Sequence, residues 1–147
     1  SVVTTKVVSA ADLLEAQQTV RAIEVSDHVL DYVMALTRGT RVRSESALSF
    51  LREWVTWGAG PRASQYLVLG AKAHAALTGR RHVAIEDVQA VAHPVMRHRI
   101  VTNFSAAAEG ITSDTIIDRL LLEVVPGASV GVGVPGVPQA TGSGSAR

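Results

Sequence analysis

The segment from Pro61 to Gly79 constrains the fold most, because it carries a helix start signal at one end and a helix stop signal at the other. Proline is favoured at the first position of a helix, and glycine is favoured just after the last. Apolar residues between them return at helical spacing, at Ala63, Tyr66, Leu67, Gly70, Ala73 and Leu77. A neighbouring helix could approach closely at the small residues, which are Gly70, Ala71, Ala73, Ala75 and Ala76. The segment therefore predicts a long helix packed against others.

Shorter segments before and after this helix also repeat apolar residues at helical spacing. Ser9, Ser26 and Ser113 are candidate caps for three of these helices, and Gly39 and Gly58 are expected to end two of them. Aromatic residues make up only 4% of the chain, so the core must consist mainly of Ala, Leu, Val and Ile, which suits packed helices. The patterns together predict an all-α fold, a small bundle of about five to six helices.

Two boundaries depend on single residues. Apolar residues at positions 47, 50, 51, 54 and 55 extend the third helix through Val55. Residues 82–84 are expected to be extended, and a helix carrying Val88 and Val91 follows them. That helix should break or restart at Pro94, because proline lacks an N–H and disfavours helical geometry in the residue before it, His93.

The distribution of Gly, Pro and Ser divides the chain into one domain and two end segments. Residues 9–125 form the helical domain, residues 1–8 precede it, and residues 126–147 are a Gly-, Pro- and Ser-rich tail that we expect to be disordered. The Val and Gly alternation in the tail leaves open a short edge strand. The start has neither an initiator Met nor a signal-peptide pattern, so we interpret the chain as part of a longer protein.

The overall charge and the absence of cysteine exclude several classes of function. With 14 basic and 13 acidic residues the net charge is +1, which gives no general argument for binding a polyanion, so nucleic acid is not an expected partner. The chain contains no cysteine, which excludes disulfides and thiolate sites. Its apolar stretches are shorter than the roughly 20 residues that a membrane span requires. We expect a cytoplasmic location.

Motifs for self-contained catalysis are absent from the sequence. His93 and His98 are five residues apart across a proline, and no HExxH motif occurs, so no metal site is expected. The sequence also lacks the G-x-S-x-G motif of hydrolases and the Gly-Lys pair of a phosphate-binding loop. Glu86 and Asp87 lie in a predicted first helical turn, where negative charge is stabilising without catalysis. No catalytic residue is therefore assigned within the chain.

Arg62 is the strongest candidate for binding chemistry. Gly60 can cap the long helix and Pro61 fixes its first turn, so Arg62 adds a full positive charge to the free N–H groups of a helix start. This combination is typical of an anion site. The sequence alone leaves open an ordinary surface arginine paired with a carboxylate. Arg97 and Arg99 belong to a second basic turn, which either contacts a phosphate or an acidic partner or is a solvated, salt-bridged turn.

Several motifs in order closely resemble the C-terminal lid domain of MoxR-type AAA+ ATPases. They are GAGPRAS at 58–64, GRRHVAIEDV at 79–88, HPVMRHRI at 93–100 and AEGIT at 108–112, and the likeness covers almost the whole chain before the tail. Residues 1–8 then resemble the linker from the ATPase core, which this chain does not include. The resemblance implies that Arg62, supported by Gly60 and Pro61, is the sensor 2 residue that contacts the terminal phosphate of ATP.

The same resemblance implies the wider setting of the parent protein. The parent would bind ATP and Mg²⁺ in its core, hydrolyse ATP, form a homo-oligomeric ring and act as a chaperone that remodels or matures a client complex. A protein with a von Willebrand factor A domain is an implied partner. Apart from the resemblance, the basic turn makes Arg97 and Arg99 candidate subunit or partner contacts. The isolated chain would bind no cofactor and hydrolyse nothing.

Two departures from the family pattern and one rival function accompany the resemblance. Ala84 stands where relatives often have a capping Thr or Ser. Segment 41–57 is longer than in many relatives, and the sequence leaves open whether it adds a helical turn against the lid or a surface for a neighbouring subunit. The rival is a free-standing helical module that docks a protein or nucleic acid through Trp54, Trp57 and the turn at 97–99. That module would bind its partner without an ATPase core.

Overall fold

The computed structural model describes residues 5, 7–43 and 47–127, and it confirms an all-α fold with one small sheet. The described part contains seven helices and two strands, in the order α1 (Ala10–Ala22), α2 (Asp27–Gly39), α3 (Ser49–Trp54), β1 (Val55–Trp57), α4 (Pro61–Leu77), α5 (Ile85–Met96), β2 (Val101–Thr102), α6 (Phe104–Ala108) and α7 (Ser113–Glu123). The helix count exceeds the predicted five to six, since the short α6 was not foreseen.

Helix α4 packs against α1, α2 and α5, and its sequence predicts packing against other helices. Its inward face consists of Ala63, Leu67, Ala71 and Ala75, spaced four residues apart and each fully buried. Small side chains on this face let other helices approach closely. A Cβ atom at Gly70 would lie 3.3 Å from Val91 Cγ2, so the Val91 side chain of α5 packs closely against α4 at Gly70.

The end of α4 is fixed by Gly79, as predicted. Gly79 has a φ of 73°, the left-handed conformation that glycine adopts without steric cost. The Arg80 N–H donates to the Ala75 carbonyl over 2.9 Å, and the Gly79 N–H donates to the Ala76 carbonyl over 3.0 Å. This pair of bonds is the Schellman motif, and it turns the chain sharply away from the helix. The chain then runs extended, and His82 pairs in a parallel bridge with Glu24.

Two of the three predicted caps need correction. Ser9 caps α1, accepting from the Asp12 N–H at 3.1 Å. Ser26 occupies the cap position of α2, but its hydroxyl contacts His28 Nδ1 at 3.0 Å and makes no cap bond. For α7 the cap is Thr112 rather than Ser113, because the Thr112 hydroxyl accepts from the N–H of the third residue after it. Thr112 and Ser113 are adjacent and both are residue types that cap helices, so the sequence alone does not specify which of them caps α7.

The predicted break at Pro94 is wrong, because α5 continues through it to Met96. Pro94 lies three residues from the helix end, so its missing N–H removes one bond only, to the carbonyl of Ala90. Both residues are on the exposed side of α5, where water can bond that carbonyl. His93 keeps helical geometry and contacts Asp114 and Asp118 of α7.

The third predicted helix extends too far, since Val55 begins strand β1 rather than a last helical turn. Val55 pairs with Thr102 and Trp57 with Val101 in an antiparallel ladder that contains an irregularity. The β-branched and aromatic residues of Val55–Trp57 favour an extended chain where a partner strand is near. Segment 41–57 therefore contains both α3 and β1.

The end segments lie mostly outside the described residues. Of the predicted linker 1–8, the structure describes positions 5, 7 and 8, and the predicted disordered tail is described only up to Gly127. The helices that are described are all too short or too polar to cross a lipid bilayer.

Candidate anion site at the start of α4

The first turn of α4 has the geometry that its sequence predicts. Gly60 is the residue before the helix, with extended backbone, and Pro61 is the first helical residue. No side chain caps this helix start. Arg62 follows in the second helical position, at the positive end of the helix dipole, while the Ala63 N–H donates to the Gly60 carbonyl over 2.9 Å. A negative ligand at this place would meet both kinds of positive charge.

The positive charge of Arg62 is not neutralised by any other residue that the structure describes. Its side chain is exposed, and among the described residues no carboxylate, carbonyl or aromatic ring binds its guanidinium. By contrast, Arg80, Arg97 and Arg119 each form an ion pair with a carboxylate. The sequence left open that Arg62 is paired with a carboxylate. Among the described residues, the structure contains no such pair.

Thr40 holds the chain that leads into this helix start. The Ala59 N–H donates to the Thr40 hydroxyl over 2.8 Å, and that hydroxyl donates to the Thr37 carbonyl over 2.8 Å. Thr40 is fully buried and Ala59 is 1% exposed, so neither bond competes with water. The start of α4 is thereby tied to the end of α2, nineteen residues earlier in the chain.

Gly58 allows the chain before α4 to lie directly against the backbone of Thr40. An ideal Cβ atom on Gly58 would lie 1.9 Å from the Thr40 carbonyl oxygen and 2.4 Å from its carbon, which no side chain permits. The sequence suggested Gly58 only as a helix stop, and it gave no sign of Thr40 at all. The requirement for glycine comes from a contact that only the folded chain creates.

A groove opens beside this helix start. It has a volume of about 220 Å³ and is lined by Arg41, Val42, Arg43, Thr56, Trp57, Gly58, Ala59 and Gly60. The guanidinium of Arg43 lies 5.3 Å from the centre of the Trp57 ring. Trp57 itself is 60% exposed. Aromatic and arginine side chains therefore border the candidate anion site on the side of β1.

The two arginines of the turn after α5 have different surroundings. The Arg97 Nε donates to both oxygens of Asp114, at 2.7 and 3.1 Å. The hydrogen bond and the charge of Asp114 raise the pKa of Arg97, while the hydrogen bond from Arg97 lowers the pKa of Asp114. Arg99 instead donates to the Val95 carbonyl and lies 4.9 Å from the centre of the Tyr66 ring. Only Arg99 of this pair lies against α4 without a carboxylate partner among the described residues.

Trp54 does not present the docking surface that the rival function requires. Its ring packs edge-on against Phe50 at 6.0 Å, and the guanidinium of Arg119 lies 5.4 Å from its centre. Its indole nitrogen is buried and has no hydrogen-bond partner among the described residues. Trp54 therefore belongs to the packing between α3 and α7, and of the two tryptophans Trp57 is the exposed one.

Asp87 ties the far end of α4 to α5. This carboxylate is fully buried and accepts from the Ala84 N–H at 2.8 Å, from His74 Nδ1 at 2.6 Å and from both terminal nitrogens of Arg80. Burial alone would raise the pKa of Asp87, but the hydrogen bonds from Arg80, Ala84 and His74 outweigh it, so the pKa is lowered. The sequence placed Asp87 correctly in a first helical turn and missed this network.

No metal site is found in the part of the chain that the structure describes, since no three His, Asp or Glu side chains converge there suitably. His93 has Nδ1 3.3 Å from Asp114 Oδ1 and Nε2 2.9 Å from Asp118 Oδ1. These contacts join α5 to α7. The ring nitrogens of His93 are thereby engaged within the bundle, and His98 is exposed on the turn.

Comparisons with known proteins find a family model, two relatives and a solved structure that match the chain. Residues 51–120 match the model of the AAA lid domain. The chain is 33% identical to Chaperone MoxR1 of Mycobacterium tuberculosis over 97% of its length, and 26% identical to YeaC, an uncharacterized protein of Bacillus subtilis, over 80%. The crystal structure of a proposed ATPase from Cytophaga hutchinsonii matches 82% of the chain with a TM-score of 0.76 and 34% identity. The chain spans only 34% to 39% of the length of these relatives.

Proposed function

The chain belongs to the AAA lid domain family, in its MoxR-type branch, and from this membership we propose that it closes over ATP bound to the core of a longer parent protein. Arg62 would reach from the lid to the terminal phosphate of that ATP. Closure and opening of the lid would then follow the state of the nucleotide. The single observation that carries this proposal is the exposed, unneutralised guanidinium of Arg62 at an uncapped helix start.

The residues around Arg62 fit a phosphate. A guanidinium offers several N–H donors in a planar fork, which can bond two phosphate oxygens at once. The start of α4 adds the positive end of the helix dipole, although Pro61 has no N–H and the Ala63 N–H already donates to the Gly60 carbonyl over 2.9 Å. A Cβ atom built on Gly60 would meet nothing within 4 Å, so the space in front of the helix start is open to a ligand.

The chemistry of hydrolysis would come from outside this chain. ATP and Mg²⁺, when bound in the core, supply the phosphoryl group and neutralise part of its charge. Arg62 would hold the outer phosphate oxygens by charge-assisted hydrogen bonds, and these bonds strengthen as negative charge builds up during phosphoryl transfer. The clamp between Thr40 and Ala59 would keep the helix start, and with it Arg62, at a fixed distance from the rest of the lid.

In the parent protein this movement would serve a larger assembly. A ring of identical subunits, which AAA+ relatives suggest, would convert ATP hydrolysis into remodelling or maturation of a client complex. The name of the Mycobacterium tuberculosis relative, a chaperone, supports such a role. A partner with a von Willebrand factor A domain and a cytoplasmic location complete the proposal.

The test replaces Arg62 in the full parent protein. We expect Arg62→Ala to lower ATP turnover by about 100-fold with folding intact, which is the size of effect seen when one donor to a transition-state oxygen is removed. Arg62→Lys keeps the charge and should recover only part of the turnover, because an ammonium group cannot form the two-point contact.

Arg81→Ala is the matched control. Arg81 is also an exposed arginine, but it lies beyond the opposite end of α4. Its replacement should leave both turnover and ATP affinity unchanged. Equal turnover and equal ATP affinity in wild type and Arg62→Ala would refute the phosphate role and leave the lid without a sensing residue.

A further inference from the structure

The side of α4 that carries Arg62 continues as an exposed apolar face. Arg62, Tyr66 and Leu69 are spaced by four and three residues, so their side chains lie on one side of the helix. Tyr66 is 48% exposed and Leu69 is 47% exposed, although both are large apolar side chains next to a well-packed core. We call these three residues, together with Arg99, the Tyr66 face.

Arg99 adds a second positive charge to this face. Its guanidinium lies 4.9 Å from the centre of the Tyr66 ring, a cation–π distance. It donates a hydrogen bond to the Val95 carbonyl, and no carboxylate among the described residues neutralises it. The Tyr66 face thus combines two unneutralised arginines with two exposed apolar side chains. A complementary surface would carry negative charge and apolar groups side by side.

Helix geometry places Tyr66 and Leu69 beside Arg62. Side chains four residues apart in a helix are neighbours, about 5–6 Å apart at Cβ. A domain that presents a phosphate to Arg62 from this side of the helix would therefore be adjacent to Tyr66 and, one turn further, to Leu69. It approaches Arg99 as well, because Arg99 rests on the Tyr66 ring.

We propose that the Tyr66 face is the surface through which the lid docks on the nucleotide-carrying core of the parent protein, with a core carboxylate meeting Arg99 and apolar core side chains meeting Tyr66 and Leu69. This inference rests on the proposed function, since it takes the position of the phosphate from Arg62. It adds a partner surface of defined chemistry: acidic and apolar, next to the nucleotide. Docking there would make lid closure depend on protein contacts as well as on the phosphate.

The test measures lid closure directly in the full parent protein. One fluorophore is placed on a cysteine introduced at Ala90, an exposed position on α5, and a second on the core, and energy transfer is followed as a non-hydrolysable ATP analogue is added. The test variants are Tyr66→Ser with Leu69→Ser, and separately Arg99→Gln. The control is Leu77→Ser, which removes an apolar side chain that is 87% exposed near the other end of the same helix.

We expect the double serine variant and Arg99→Gln each to need about tenfold more nucleotide for half-maximal closure, a coupling of ordinary size between two sites. The Arg99→Gln effect should shrink at high salt, because it removes a charge pair. Leu77→Ser should close at the wild-type concentration. Wild-type closure in the double serine variant, or an equal shift in Leu77→Ser, would overturn the docking inference.

ATP turnover of Arg62→Ala, measured alongside the closure assay, separates the two proposals. Lost turnover in Arg62→Ala with normal closure in the double serine variant would reject the Tyr66 face and keep the phosphate role. Weakened closure in the double serine variant with normal turnover in Arg62→Ala would keep the docking surface and reject the phosphate role. Thermal unfolding of each variant checks that the bundle itself is unchanged.

Discussion

The carbonyl oxygen of Thr40 lies 1.9 Å from the place where a Cβ atom on Gly58 would be, so the end of α2 and the entry to α4 touch backbone to backbone. The Thr40 hydroxyl bonds the next residue, Ala59, across the same contact. The position of Arg62 is therefore set by α2 as well as by its own helix. The contacts that position Arg62 can therefore be tested separately from the binding of an anion by Arg62.

Gly58→Ala should destabilise the domain strongly, because the clash is with backbone atoms that cannot rotate away. We expect a loss of about 3 kcal/mol in the free energy of unfolding, at the upper end for overpacked sites. Urea unfolding measures it. Gly60→Ala is the control, since a Cβ atom there meets nothing within 4 Å, and it should change stability by less than about 1 kcal/mol. Equal stabilities for the two variants would contradict the contact.

Thr40→Val should destabilise the domain for a different reason. Valine has nearly the shape of threonine but no hydroxyl, so the buried Ala59 N–H and the Thr37 carbonyl would both lose a partner. We expect a loss of about 1–3 kcal/mol, the usual effect of an unsatisfied buried polar group. Thr19→Val removes a hydroxyl that bonds a carbonyl on the exposed side of α1, and it should change stability by about 0.5 kcal/mol or less. A Thr40→Val domain as stable as wild type would show that water reaches the Ala59 N–H.

The parts of the fold that follow from local signals were predictable, and the long-range contacts were not. Pro61 and Gly79 fixed both ends of α4 because a helix start and a helix stop depend on a few adjacent residues. Arg62 could be placed at the helix start for the same reason. Thr40 could not be linked to it, because their contact joins segments nineteen residues apart. Val55 was assigned to a helix because its partner strand lies more than forty residues away along the chain.

Asp87 should make the stability of the domain depend on pH under acidic conditions. Its pKa is lowered in the folded state, so it binds fewer protons when folded than when unfolded near pH 4. The stabilisation from Asp87 is therefore fully present above the unfolded pKa of about 3.9 and is lost as the pH falls towards its folded pKa. Urea unfolding at pH 7, 5, 4 and 3 should show this decline.

The Asp87→Asn variant isolates that contribution. It removes the negative charge that Arg80 and His74 share, and we expect a loss of about 3 kcal/mol at pH 7, as for other broken buried pairs, with a flatter dependence on pH below 5. Glu86→Gln is the control in the same helical turn, where the side chain is exposed, and it should alter stability by about 0.5 kcal/mol or less. A pH profile of Asp87→Asn parallel to that of wild type would assign the acid sensitivity to other carboxylates.

Pro94→Ala should stabilise the domain, because α5 runs through this proline unbroken. Alanine restores an N–H donor for the Ala90 carbonyl and removes the steric conflict of the ring, while it gives the unfolded chain more freedom. We expect a net gain of about 1–2 kcal/mol in the free energy of unfolding, measured in urea. Pro126→Ala, located after α7, provides a control without an expected gain in helical bonding. A destabilised Pro94→Ala variant would show that the proline has a packing role.

Thr40 should affect ATP turnover in the parent protein only through Arg62. If the hydroxyl contact with Ala59 positions the helix start, Thr40→Val should lower turnover by about tenfold, since a small displacement of a charged group weakens its bond to the transition state. In the Arg62→Ala background the same change should have almost no further effect, because the group being positioned is gone. The measurement is a double-mutant cycle of turnover under saturating ATP and Mg²⁺, with folding checked by thermal unfolding. Losses that multiply independently in the double variant would mean that Thr40 acts on another part of the lid.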